Sequence, residues 1–280
     1  MAERDYFRHE YERGYRPSFW ATARGTKALV LGLAGLHVLL ALLARIAPET
    51  HLAIWRALYL SPDDVVREGR VWQLVTAAFL HVDMMHLLFN CLSLFFFGRI
   101  VEDRLGTRRF FLFSLGAAVA ASLGYVGWSL LEQGTYPMVG ASGAVMGVLV
   151  LCAFWYPNLP VYFWGIFEMP LWVVAAIVVA IDLLMAISNS VGVAHTAHLA
   201  GAAFGWAYFR YGSWVERIFT AIDRGAEERR RRREFKDRED DAGLRGELDR
   251  ILDKVNREGM GALSEAELRS LKRASKRLRR

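Results

Sequence analysis

The chain predicts an all-α membrane protein, a six-transmembrane-helix bundle followed by a small C-terminal helical hairpin. Three observations predict it. Hydrophobic residues fill 54% of the 280 positions, yet 35 Lys and Arg stand against 29 Asp and Glu, so apolar and charged residues must occupy separate places. They do: uncharged or nearly uncharged stretches run 28–44, 110–131, 137–156, 170–187 and 191–208, each close to the about 20 residues a spanning helix needs. A sixth stretch, 81–97, carries Asp83, His86 and Asn90. The period-2 alternation of a barrel strand is absent, and lipid offers no partner to unpaired backbone groups, so the spans are helices.

Six spans put both ends of the bundle on one side, and the short-loop Lys/Arg bias assigns that side to the cytoplasm of a multi-pass protein of the cell (inner) membrane. Residues 1–27, with Arg4, Arg8, Arg13, Arg16, Arg24 and Lys27, form a cytoplasmic N-terminal segment, and residues 28–212 hold the spans. The segment 48–80 after the first span mixes Trp55, Tyr59 and Trp72 with charges, a composition suited to a partly helical element in the outer leaflet. Arg99, Arg104, Arg108 and Arg109 place the next loop on the cytoplasmic side, whereas "EQGTYP" and "ISNSVG" lack Lys and Arg and fit the other. Residues 213–243 read as a charged, solvated linker or exposed helix, and 244–280 as a cytoplasmic hairpin of two amphipathic helices. In that hairpin Leu248, Ile251, Leu252 and Val255 fall at helical spacing, Gly259 and Gly261 interrupt, and Ser264 with Glu267 makes a capping box.

Several classes drop out. The net charge of +6 lies in the tails, where topology and anionic lipid account for it, so nucleic acid is not an expected partner. Cys91 and Cys152 fall within spans and read as small apolar residues rather than a disulfide. No feature specifies an oligomeric state.

Ionisable groups at membrane depth are costly and therefore functional candidates. The spans offer His37, Asp83, His86, Asp182, His195 and His198, with His81 at the edge of the second. "HVDMMHLLFN" sets His86 and Asn90 on one helix face. "MVGASGAVMGV" places one hydroxyl, Ser142, in an otherwise apolar and glycine run. Gly143 with Gly147 and Gly201 with Gly205 are i, i+4 pairs, which let helix backbones approach closely in lipid. If those faces meet, Ser142 lies beside His198, and a hydroxyl beside a neutral imidazole is the minimum apparatus for nucleophilic acyl transfer. The start of the Ser142 helix, with His86 and Asn90, would then serve a developing oxyanion.

Three ordered motifs resemble the rhomboid family of intramembrane serine proteases: "HVDMMHLLFN", "GASGAVMG" and "AHLAGAAFG", on the second, fourth and sixth spans. The resemblance covers Trp72 to Gly205 most clearly. It implies a Ser–His dyad with Ser142 as nucleophile and His198 as base, and His86, Asn90 and Gly140 around the oxyanion. His81, Met146 and Gly201 take supporting places, and His195 takes none. The implied substrates are spanning helices of other membrane proteins, cut near the non-cytoplasmic face, with no cofactor and no metal. Two departures stand out: Met146 where members often carry an aromatic residue, and Gln73 where many have Arg after the Trp. The hairpin is similar to a short helical domain appended to some bacterial members. The competing readings are a non-proteolytic relative acting as a scaffold, a transporter with Asp182 as proton relay, and a metal site of His81, His86, His195 and His198.

Overall fold

The computed structural model describes residues 23–132, 136–163, 167–188 and 195–278. Most of the N-terminal segment, and parts of the "EQGTYP" and "ISNSVG" loops, lie outside them. The chain divides into two compact units, 1–213 and 214–280.

The first unit is a multi-pass membrane bundle. Among the described residues three helices are long and apolar enough to cross a membrane: α1 (Arg24–Ile46), the run Met84–Leu105, and α7 (Thr107–Glu132) as far as Leu131. Two apolar helices are shorter, α8 (Ser142–Trp155) and α9 (Leu171–Ile187). The last apolar stretch, 191–208, runs into α10 (His195–Glu258), where His, Gly and Arg210 hold mean hydropathy down. Large apolar side chains point outward along the bundle, among them Leu31, Leu42, Ile46, Phe89, Ile181 and Leu184, a surface that lipid rather than water covers.

The second span differs from expectation at both ends. His81 precedes its helix. Asp83 is the N-cap of α5 (Met84–Ser93), its carboxylate accepting from the His86 amide at 2.8 Å. A π-helical turn, Leu94–Gly98, then leads into α6 (Arg99–Leu105). Glu102 of α6 is buried because it caps a different helix. Residue 23 before α1 is alanine and has no capping oxygen, so Glu102 accepts from the amides of Gly25 and Thr26, both at 2.7 Å, and from the Thr26 and Thr107 hydroxyls.

The segment after α1 is helical in pieces: α2 (Pro48–Leu58), α3 (Pro62–Arg67), α4 (Gln73–Thr76) and a 3₁₀ turn, Ala77–Phe79. Gln73 anchors it where an arginine is common. Fully buried, its amide accepts from Ser61 N at 3.0 Å and donates to Asp64 at 3.0 Å, and Arg70 completes the pair with Asp64. Trp72 donates to Ala57 O, and Thr76 to Leu58 O.

Helix α8 is the centre. Eleven of its fourteen residues are buried, and it packs against α5, α6, α7 and α9. The expected helical run from Pro137 begins only at Ser142. Met138 instead forms an antiparallel bridge with Leu60, Gly140 N donates to Ala77 O, and Gly140 has φ +125°, a conformation open to glycine but not to L side chains. A second departure from an all-α chain follows α8. The loop expected there holds an antiparallel pair, β1 (Pro160–Phe163) and β2 (Phe167–Pro170), with Tyr162 opposite Glu168, as its β-branched and aromatic residues favour.

The glycine pairs do meet. A Cβ on Gly201 would run into the Gly143 backbone, and one on Gly205 into the Gly147 carbonyl. On the other flank Gly143 and Gly147 face Ala121 and Ala117 of α7.

In the second unit, the stretch 213–243, read above as a linker or exposed helix, is helical, being part of α10. Exposed i, i+4 pairs such as Arg230–Glu234 and Glu227–Arg231 support it. Gly259, at φ +83°, ends α10 by bonding its amide to Val255 O. After the 3₁₀ turn Met260–Ala262, α11 (Glu265–Leu278) begins on the capping box: Ser264 Oγ accepts from Glu267 N, and Glu267 accepts from Ser264 N at 2.8 Å. Lys254 reaches back from α10 to Glu267 at 3.1 Å.

Two tests follow from this architecture. Gly201→Val should force α8 and α10 apart at a cost of about 1–3 kcal/mol, lowering the thermal midpoint of the purified protein in detergent, whereas Gly32→Ala in α1, which meets open space, should leave it unchanged. The Ser264 amide and hydroxyl, with Lys254, hold the Glu267 carboxyl at about 2, below its ordinary 4.5. Its contribution is therefore complete above that ordinary value and lost as pH falls toward 2. Amide exchange at 264–268 should accelerate over that window in the native chain, and Glu267→Gln should show the fast exchange already at neutral pH.

Candidate active site

Three helix ends build the site. Ser142 is the first residue of α8, after the extended stretch that Leu60 and Ala77 hold in place. Its Oγ lies 2.7 Å from Nε2 of His198, one turn into α10. The predicted pair is thus brought together where the helices touch through backbone at Gly143, which follows Ser142, and Gly201, one turn on from His198.

A third group joins them. Asp182 on α9 is buried, and its Oδ1 lies 3.0 Å from Nδ1 of His198 and 2.6 Å from Nδ1 of His195. A carboxylate only accepts, so both Nδ1 atoms carry the proton and Nε2 of His198 accepts from the Ser142 hydroxyl. Asp182 and His195, to which the sequence reading assigned no place beside the pair, thus adjoin it. The only sequence signal was an ionisable residue in an otherwise apolar helix; the one for His195 was its spacing of three from His198.

The second span supplies the opposite wall. The His86 imidazole lies against the Gly140 Cα, where a Cβ would collide with it, and that same Cβ position is 3.5 Å from Ser142 Oγ. Asn90 is buried and donates one amide N–H to His86 O at 2.8 Å, which leaves its other N–H to serve another acceptor. His81 stands edge-on to His86 with ring centroids 5.0 Å apart, and neither of its ring nitrogens has a hydrogen-bond partner among the described residues. Met146 sits inside the apolar core with Val145, Leu149 and Ala202.

The donor set also invites a metal test. Among the described residues Asp182, His195 and His198 offer ligand atoms within 4.8 Å of one another, while the four-histidine grouping named as a competing reading is not among such groups. An ion there would take the Nδ1 lone pairs and leave a proton on Nε2, facing Ser142. In that form the 2.7 Å contact persists with Nε2 donating to the Ser142 hydroxyl, but no lone pair is left there to take the serine proton. Metal ligation and proton abstraction from Ser142 are therefore alternative uses of His198. The first amides of α8, Ser142's own among them, lack intrahelical partners, as at the start of any helix.

Several known proteins are similar to the chain. The "RHOMBOID-like protein 12, mitochondrial" of Arabidopsis thaliana is 28% identical over 214 residues, covering 68% of this chain and 63% of that protein. The "Putative rhomboid protease YdcA" of Bacillus subtilis is 36% identical over 101 residues, covering 36% and 49%. The "Rhomboid protease GlpG" of Serratia proteamaculans is 27% identical over 124 residues, covering 44% and 42%. The chain thus spans less than two thirds of each relative's own length. A family of unknown function, DUF6576, matches residues 238–277. Since the Rhomboid domain matches residues 68–214, just over half of the chain and all of the residues that meet around Ser142, the protein belongs to the rhomboid family.

Proposed function

We propose that the protein is an intramembrane serine endopeptidase that cleaves spanning helices of other membrane proteins near the non-cytoplasmic face. The observation that carries this reading is the 2.7 Å approach of Ser142 Oγ to Nε2 of His198 at the start of the buried helix α8. Ser142 Oγ attacks the scissile carbonyl carbon while its proton passes to Nε2 of His198. The carbonyl oxygen becomes an oxyanion, taken up by the Ser142 amide and by His86 and Asn90, with Gly140 leaving room beside them. The C–N bond then breaks, and the leaving amine takes the proton from His198. A water, deprotonated by the same nitrogen, frees Ser142 from the acyl group.

Depth sets the substrate class. Fourteen helical residues rise about 21 Å against a hydrocarbon core of about 30 Å. With the Trp155 end at the cytoplasmic boundary, the nucleophile lies about 9 Å inside the opposite one. A peptide reaching that depth is itself a membrane segment, and its scissile carbonyl must leave its helix to be attacked, so small or helix-breaking residues are favoured there. The reading includes both termini in the cytoplasm of a cell with this protein in its inner membrane, six spans, and segment 48–80 in the outer leaflet.

Ser142→Ala or His198→Ala should each reduce cleavage of a spanning substrate by about ten-thousandfold or more, and the double variant should lose little further. Asn90→Ala should cost about ten- to a thousandfold. Fluorophosphonate should label the wild type and not Ser142→Ala. EDTA or phenanthroline should leave the rate unchanged; activity that a chelator abolishes and Ser142→Ala spares would end the serine-peptidase reading. For topology, single cysteines before Lys27 and after Arg280 should resist impermeant reagents in intact cells while cysteines in "EQGTYP" react. Opposite exposure of the two ends would rule out an even number of spans.

A further inference from the structure

Asp182 is the one ionisable side chain in α9, whose other residues are apolar throughout. A buried carboxylate in such surroundings is unfavourable by several kcal/mol unless its charge is matched by donors. The donors it has are two imidazoles of α10, both on the same oxygen, at 2.6 Å from His195 and 3.0 Å from His198. The ring of His198 is therefore bonded at both nitrogens, to a carboxylate on one side and to Ser142 Oγ on the other. A free neutral imidazole places its proton on either nitrogen. Only the Nδ1–H form leaves a lone pair at Nε2 to take the serine proton, and only an acceptor facing Nδ1 selects that form.

We propose that Asp182 is a positioning residue for the Ser142–His198 pair, fixing the His198 tautomer and stabilising the imidazolium formed when Ser142 is deprotonated, with His195 holding the shared carboxylate oxygen in place. This rests on the serine-peptidase reading and extends it from two residues to a relay of three with a fourth in support. His195 has a defined part. Its Nδ1–H fixes the rotamer that turns Oδ1 toward His198, and it shares the negative charge while His198 is neutral. When His198 takes the proton, the carboxylate at 3.0 Å needs no movement to face it. The relay crosses from α9 to α10 to α8, so each helix supplies one member.

The experiment uses full-length protein in detergent, with ¹⁵N-labelled histidine, and measures tautomer, kcat and KM. In the Ser142→Ala protein, where Asp182 is intact and no turnover occurs, His198 should carry its proton on Nδ1. A proton on Nε2 there overturns the proposal whether or not any Asp182 variant folds. Asp182→Asn should lose the Nδ1–H form, lower kcat by about a hundred- to ten-thousandfold with KM little changed, and slow fluorophosphonate labelling in parallel. Asp182→Glu should recover part of the rate, and His195→Gln should cost about tenfold. A folded Asp182→Asn protein with kcat within threefold of wild type overturns the proposal while leaving Ser142 and His198 as the reacting pair. Activity surviving in Ser142→Ala removes the peptidase reading itself. Activity that EDTA removes and Zn²⁺ restores makes the Asp182–His195–His198 cluster a metal centre instead, which also overturns the proposal.

Discussion

Two backbone contacts between glycines govern the rest of this structure. Where Gly201 touches Gly143, and Gly205 touches Gly147, no side chain separates α8 from α10. The adjoining residues of each helix are thereby carried to hydrogen-bonding range across the interface. In lipid there is no gain from hiding apolar surface from water between two helices, so their association depends on fit and on polar bonds. Ser142 and His198 face each other where Gly143, next to the serine, and Gly201, a turn beyond the histidine, let the backbones meet. The same approach turns His198 toward α9, where the Asp182 carboxylate waits on its far nitrogen.

The second constraint is where α8 begins. A helix started at Pro137 would have hidden the Ser142 amide in an intrahelical bond. Holding 138–140 extended against Leu60 and Ala77 makes Ser142 the first helical residue and leaves its N–H free. The apolar unit is elsewhere sparing with unpaired polar groups: Glu102 satisfies three donors at the head of α1 and the Thr107 hydroxyl at the head of α7, and Gln73 locks the segment after α1 through Ser61 and Asp64. His81 and Ser114 break the pattern: both His81 nitrogens, beside His86, and the Ser114 hydroxyl are buried without a hydrogen-bond partner among the described residues.

How much of this was legible in the sequence depended on the range of the signal. The apolar stretches, the i, i+4 glycines, the three ordered motifs and the Ser264–Glu267 capping box are patterns within a few residues, and the helices and contacts they imply are present. The start of α8 was not legible, because the residues from Pro137 to Ala141 are as apolar as the helix they precede. What turns them out of it is a pairing with Leu60, far back in the chain. The bond from Asp182 to His198 was missed for a related reason. Nothing in "AIVVAIDLLMAI" says which neighbour an aspartate meets, and His195 gains meaning only once the carboxylate is seen beside it. The β1–β2 pair was hidden because composition alone leaves its two short runs irregular.

The small-residue seams joining α7, α8 and α10 bear on temperature. A soluble core draws most of its cohesion from releasing water, a force that weakens on cooling and carries a large heat-capacity change. Here Ala117, Ala121, Gly143, Gly147, Gly201 and Gly205 exchange contact with lipid chains for contact with one another, and no water is released. The cohesion of the seam is dispersion and carbonyl contact, which cooling does not erode. The face that carries Ser142 and His198 is therefore built on an interface that does not draw on the water release whose weakening on cooling loosens soluble cores.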